Sequence, residues 1–110
     1  MRDLLERMLA GAEAEVAVLN QALGDLFEAS RASNADDEHD PEGATVAFER
    51  AHLTATLTTT RRRVEELRQA IERHDRGTYG VCERCGKPIP PERLTARPDA
   101  RTCVVCAITR

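Results

Sequence analysis

Four cysteines carry the most definite chemistry in this 110-residue chain: Cys82-x-x-Cys85 and Cys103-x-x-Cys106, with 17 residues between the pairs. Two residues inside each pair let a tight turn aim both sulfurs at one ion. Two such pairs at a separation of roughly 15–20 residues are the pattern of a tetrahedral four-thiolate zinc site. Gly86, directly after Cys85, gives the first turn the backbone freedom that a knuckle needs. With sulfur in all four positions there is no place for a water, so the metal is structural and not hydrolytic. The same thiols could instead serve as a redox switch, since Arg84 and Lys87 stand beside them and positive charge lowers a thiol pKa. Two disulfides would suit an exported protein, but Met1 to Ala10 carry charges where a signal peptide places its apolar region. The expectation is a cytoplasmic protein with one structural Zn²⁺.

Carboxylates are the second candidate. Asp36, Asp37, Glu38, Asp40 and Glu42 crowd the segment 34–43, together with His39 and Pro41. One reading is a solvated turn in which Asp40 caps a helix, Pro41 takes its first position and Glu42 complements its dipole. The other is that the acids exist to be delivered, to Mg²⁺ or to basic side chains in a place a globule cannot enter. Arg84, Lys87, Arg93, Arg97 and Arg101 crowd the cysteine region and suit phosphate, an acidic protein surface or a solvated rim.

Both groups need positioning, and the sequence supplies two long helices to do it. Leu5, Leu9, Ala12, Val16, Leu19, Leu23 and Leu26 step by four and three without a break, which is a coiled-coil seam. Gly11 and Gly24 each weaken that helix by about 1 kcal/mol relative to Ala. A second seam runs Val46, Arg50, Leu53, Leu57, Thr60, Val64, Leu67, Ile71, interrupted by the polar Arg50 and Thr60. Two helices of roughly 30 residues would each be about 45 Å long. The polar segment between them forces the chain to reverse, with thin packing expected near the turn. After Arg76 the period disappears, and glycines and prolines dominate as far as Pro98, with one or two helical turns expected within 102–110. The expected fold is mainly α: an antiparallel helical hairpin over 1–76 with its acidic tip at 34–43, then a four-cysteine zinc module over 77–110.

Composition excludes several functions. At 12.2 kDa the chain has no room for a large enzyme core, aromatics are 3% of it, and no stretch reaches the roughly 18 apolar residues of a membrane span. The net charge of −3 hides an asymmetry, because residues 1–42 hold 3 basic and 11 acidic residues while 43–110 hold 13 and 8. An acidic half and a cysteine module whose one aromatic residue is Tyr79 speak against nucleic acid as the partner, since phosphate repels the one and stacking needs more than the other.

The run Gly77-x-Tyr79-Gly80-x-Cys82-x-x-Cys85-Gly86, then Ile89, then Arg93-Leu94-x-Ala96-Arg97-Pro98-x-Ala100-x-x-Cys103-x-x-Cys106, closely resembles the DksA/TraR zinc-finger family. The preceding hairpin with acids at its turn extends the resemblance over nearly the whole chain. The resemblance implies a bacterial, non-enzymatic transcription regulator acting on RNA polymerase itself and not on specific DNA. In that family the coiled coil enters the secondary channel, tip acids approach the catalytic site, and promoter-complex stability changes. It implies Cys82, Cys85, Cys103 and Cys106 as zinc ligands and Asp36, Asp37, Asp40, Glu42 and Ala44 as the effector tip. The family's tip reads Asp-x-x-Asp-x-Ala; here Asp37-x-x-Asp40 keeps the first spacing and Glu42-x-Ala44 the second. Members that take part in the stringent response bind the alarmone ppGpp through basic residues, among which Arg97 matches, and Arg93 is the neighbouring candidate for effector or polymerase contact. A monomer is expected. The alternative is a zinc-dependent module that binds nucleic acid or senses redox state.

Overall fold

The computed structural model describes residues 1–33 and 41–109, with side chains at 1–31 and 43–109. Helix α1 spans Arg2–Ser33 and helix α2 spans Pro41–Arg76; two short helices follow, α3 at Pro91–Ala96 and α4 at Val104–Ile108. Among the described residues there is no strand, only an isolated antiparallel bridge between Val81 and Pro88. The mainly helical class and the helix pair ahead of a cysteine module are therefore as the sequence predicts. The first helix ends at Ser33, and α2 begins at Pro41, where the missing N–H is no loss. The proposed Asp40 cap lies outside the described residues.

The chain divides into two compact units, unit 1 comprising Met1–Ala10 with Val64–Arg110 and unit 2 comprising Gly11–Arg63. In unit 1 the start of α1 lies against the end of α2. Leu5 and Leu67 are 0% exposed, and Val64 and Ala70 are buried with them. A Leu side chain taken fully out of water contributes roughly 1.5–3 kcal/mol, so this cluster carries the pairing. At its edge the Arg2 guanidinium donates to both oxygens of Asp75, at 2.9 and 3.1 Å, and also pairs with Glu6. These groups are exposed, and such pairs contribute about 1 kcal/mol at most.

In unit 2 the seam is shallower. Ala12, Leu57 and Thr60 are buried, whereas Val16, Leu19, Leu23, Leu26, Val46 and Leu53 are half-buried and Arg50 is exposed. No residue of 13–31 or 43–56 is buried, which is the thin packing expected toward the turn. Thr60 sits in the seam at 6% exposure because its hydroxyl donates to the Thr56 carbonyl at 2.8 Å and so leaves no orphaned polar atom.

Helix α2 ends in a Schellman motif. Gly77 takes φ 79°, its N–H donates to the His74 carbonyl at 3.2 Å, and the Thr78 N–H reaches the Arg73 carbonyl at 2.9 Å. This turn sends the chain from α2 into the cysteine region.

Truncating Leu67 to Ala is expected to lower unfolding free energy by about 2–5 kcal/mol in a urea titration, because the cavity adds to the lost transfer energy. Phe48→Ala, at a side chain 76% exposed, is expected to change it by no more than about 0.5 kcal/mol.

Candidate metal centre

The first cysteine pair stands on a small reversed loop. Its walls are joined by the Ile89 N–H to the Gly80 carbonyl at 2.7 Å and the Cys82 N–H to the Lys87 carbonyl at 2.9 Å. The turn closes when the Gly86 N–H donates to the Cys82 carbonyl at 3.0 Å, with Gly86 at φ 74°. An L side chain rarely adopts that backbone region, so the knuckle requires glycine where the sequence has it. The second pair is carried by α4: Cys103 precedes it, Cys106 lies within it, and the Ala107 N–H bonds the Cys103 carbonyl at 2.9 Å. Its short final helix falls inside the expected range 102–110.

Several contacts hold the two pairs together. The Glu83 N–H donates to the Arg101 carbonyl at 2.9 Å. Arg93 Nε donates to the Thr102 carbonyl at 2.7 Å, and the Tyr79 hydroxyl to the Pro98 carbonyl at 2.8 Å. Arg84 Nη1 reaches the carbonyls of Cys106 and Thr109 at 3.0 and 2.5 Å, a cationic cap on the end of α4.

The sulfurs of Cys82, Cys85, Cys103 and Cys106 all lie within 4.8 Å of one another, and those of Cys85 and Cys103 are 3.9 Å apart. A zinc ion bound tetrahedrally at about 2.3 Å requires sulfurs about 3.8 Å apart, so the donor set and its spacing fit one Zn²⁺. The donor set is that of a structural C4 zinc site: with one ion bound, the four thiolates would fill its coordination sphere. Cys82 is buried, Cys103 and Cys106 are half-buried and Cys85 is exposed. Without metal the thiols are unequal. Backbone N–H groups, the Cys85 amide foremost, hold Cys82 down to about 6, although burial opposes them. Cys103 is lowered chiefly by the Cys106 amide, and hydrogen bonding with Cys103 pushes Cys106 up to about 12.

Beside the centre is a cleft of about 440 Å³ lined by Arg84, Arg93, Arg97 and Arg101, with Glu66 and Asp99 among them. Of the basic residues singled out from the sequence, Arg84 and Arg93 are committed to main-chain carbonyls and Arg101 Nη1 lies 3.4 Å from Gln69 Oε1. Arg97 and Lys87 are exposed. Asp36, Asp37 and Asp40 lie outside the described residues. Glu42 falls in the first turn of α2, and Ala44, also on α2, is exposed.

Three features of this region have no counterpart in the sequence reading. Helix α3 opens on Pro91, whose position at a helix start was the available signal. Arg73, near the end of α2, is 8% exposed, and burial lowers its pKa while Glu83, 3.9 Å away, raises it. Asp99 is 5% exposed, and its Oδ2 has no hydrogen-bond partner among the described residues. Neither lies on a seam, so periodicity gives no sign of their burial.

Comparisons with known proteins agree with this geometry. Residues 77–110 match the prokaryotic dksA/traR C4-type zinc finger. The chain is similar to general stress protein 16O of Bacillus subtilis, at 33% identity over 100 residues covering 91% of this chain and 58% of that protein. It is 39% identical over 56 residues to the RNA polymerase-binding transcription factor DksA of Caulobacter vibrioides, covering 51% of this chain and 39% of that one. The solved structure of transcription factor DksA2 from Pseudomonas aeruginosa superposes with TM-score 0.80 at 28% identity, covering 96% of this chain and 76% of that one. The chain spans 58%, 30% and 29% of three curated relatives it matches.

Metal analysis is expected to return one zinc per chain, with Cys82→Ser losing it. Because zinc takes thiolates, binding must displace any proton still held, and Cys106, pushed up by its hydrogen bond with Cys103, holds one in the neutral range. Apparent affinity should therefore rise with pH through the neutral range, with at least one proton released per zinc in calorimetry across buffers of different ionisation enthalpy. A pH-independent affinity would contradict the assignment.

Proposed function

We propose, from the premise that this chain belongs to the DksA/TraR family of C4-type zinc-finger proteins, that it regulates transcription by binding RNA polymerase directly. The observation that carries the reading is the combination of a C4 centre with a preceding pair of long helices, with four carboxylates in the segment that connects them and a fifth, Glu42, in the first turn of α2. In this reading residues 1–76 are the delivery arm and 77–110 the module that anchors it. The arm enters the polymerase secondary channel, where Asp36, Asp37, Asp40 and Glu42, followed by Ala44, approach the catalytic site and alter promoter-complex stability and initiation. The acids act by charge, on Mg²⁺ or on basic side chains that hold nucleic acid, and the chain itself catalyses nothing. It works in the cytoplasm as a monomer; no helix among the described residues is long and apolar enough to cross a membrane.

A nucleic-acid-binding module is the weaker alternative. Tyr79, the one aromatic residue of the cysteine module, commits its hydroxyl to Pro98 and packs its ring 5.6 Å from that of His74, which leaves the module without a free stacking platform. Response to ppGpp rests on Arg97 and its arginine neighbours in the cleft. Glu66 and Asp99 place negative charge in the same cleft, and the residue directly after Cys106 is the uncharged Ala107.

Binding assays and in vitro transcription with a bacterial RNA polymerase test the reading. Asp37→Ala, Asp40→Ala and Glu42→Ala together are expected to retain polymerase binding and lose regulation; unchanged regulation removes the tip from the mechanism. If ppGpp acts through the cleft, adding it shifts regulation by the native chain and Arg97→Ala abolishes the shift. Equal responses from the two proteins would exclude Arg97 from such an effect.

A further inference from the structure

Arg73, near the end of α2, carries a charge that is out of water. A guanidinium stays charged in proteins, yet the residue is 8% exposed, and a buried charge is tolerated only where opposite charge and acceptors surround it. Glu83 Oε1 lies 3.9 Å from its Nη1, and the Asp99 main-chain carbonyl 3.5 Å from its Nη2. The carboxylates of Glu83 and Asp99 both favour the charged form, and Arg101 opposes them. Neither contact is as short as the roughly 2.7–2.9 Å of a charge-assisted bond, so the charge is held by the placement of several groups and not by one strong partner. Asp99 has the converse need. It is 5% exposed and its Oδ2 has no hydrogen-bond partner among the described residues, so the nearby guanidinium offsets the burial of this carboxylate.

Both counter-charges stand on the segments that carry the sulfurs. Glu83 lies inside the first cysteine pair, with its N–H on the Arg101 carbonyl at 2.9 Å. Asp99 precedes Cys103 by four residues, on a stretch fixed by the Tyr79 hydroxyl on the Pro98 carbonyl and by Arg93 Nε on the Thr102 carbonyl. The helix side is equally definite. The Arg73 carbonyl accepts from the Thr78 N–H at 2.9 Å and the Thr78 hydroxyl at 3.3 Å, so the same residue closes the end of α2. Ala70 and Leu67, about one and two turns earlier, are buried in the same unit.

We propose that Arg73 is a positioning residue that couples the metal centre to the last turns of α2. Its charge is matched only while the two cysteine segments are held side by side, so zinc, by holding them, fixes the end of the helix. The reverse follows by linkage: a helix end that presents Arg73 between Glu83 and Asp99 favours the arrangement of sulfurs that takes the metal. The coupling lies wholly within unit 1. It rests on the metal assignment and stands whether or not the polymerase reading does.

Two measurements on the full chain test this: zinc affinity, by competition with a chelator, and amide hydrogen exchange at 68–76 with and without zinc. In the native chain, removing zinc is expected to lower protection at 68–76 about tenfold. Arg73→Met, which keeps the length of the side chain and drops its charge, should weaken zinc binding about tenfold, and zinc should then change protection there by about twofold or less, because coupling acts equally in both directions. Arg73→Lys, which keeps the charge without the fork, should stay within about threefold of native affinity. A purely structural residue would lower protection in both metal states and leave the effect of zinc unchanged. Native affinity in Arg73→Met, equal losses in the Met and Lys variants, or protection at 68–76 that ignores zinc in the native chain would overturn the proposal.

Discussion

Four thiolates converging on one ion are the constraint on which the second half of this chain depends. Between 77 and 109 the buried side chains are few: Cys82, Ile89, Pro98, Asp99 and Ala100. That is far too little apolar surface to hold a fold, and the metal replaces the missing core, as in other modules of this size. The pattern of hydrogen bonds is organised around it. The knuckle at Gly86, the Glu83 amide on Arg101 and the Arg84 cap on α4 each fix a segment that carries a sulfur. None of these contacts is strong alone; they act by making one arrangement of the four cysteines the easiest to reach.

The helical half is held differently. Unit 1 pairs the ends of α1 and α2 through fully buried Leu5 and Leu67, and its apolar burial is deep. Unit 2 has small and polar residues at the places where Leu would be expected, with Ala12 and Thr60 buried and Arg50 exposed. A single seam thus contains a firm portion and a loose one. The firm portion includes the end of α2 that turns, through Gly77, into the cysteine module.

The cysteine spacing, both heptad seams, the start at Pro41 and the stop at Gly77 were legible because each is a local signal with a direct physical cause: ligand geometry, helical period or backbone freedom. Helix α3 was not, since Pro90-Pro91 reads equally as a loop and as a helix start, and six residues carry no period. Burial of Arg73 and Asp99 was invisible for a different reason. Arg73 is off the seam of α2 and is covered by the loop that carries Asp99, whose main-chain carbonyl lies 3.5 Å from its guanidinium. Only the folded module brings those two together. The basic rim was legible by composition but not by role, because sequence does not distinguish Arg84, committed to two carbonyls, from the exposed Arg97.

The central claim is that this chain places its acidic segment inside RNA polymerase, near the catalytic site. A photo-crosslinking residue at position 38, within the acidic segment, tests it most directly when the full zinc-loaded chain is mixed with polymerase holoenzyme and the attachment points are mapped. The account predicts crosslinks to the walls of the secondary channel close to the catalytic centre. A stable complex whose crosslinks fall only on the outer surface of the enzyme would contradict it.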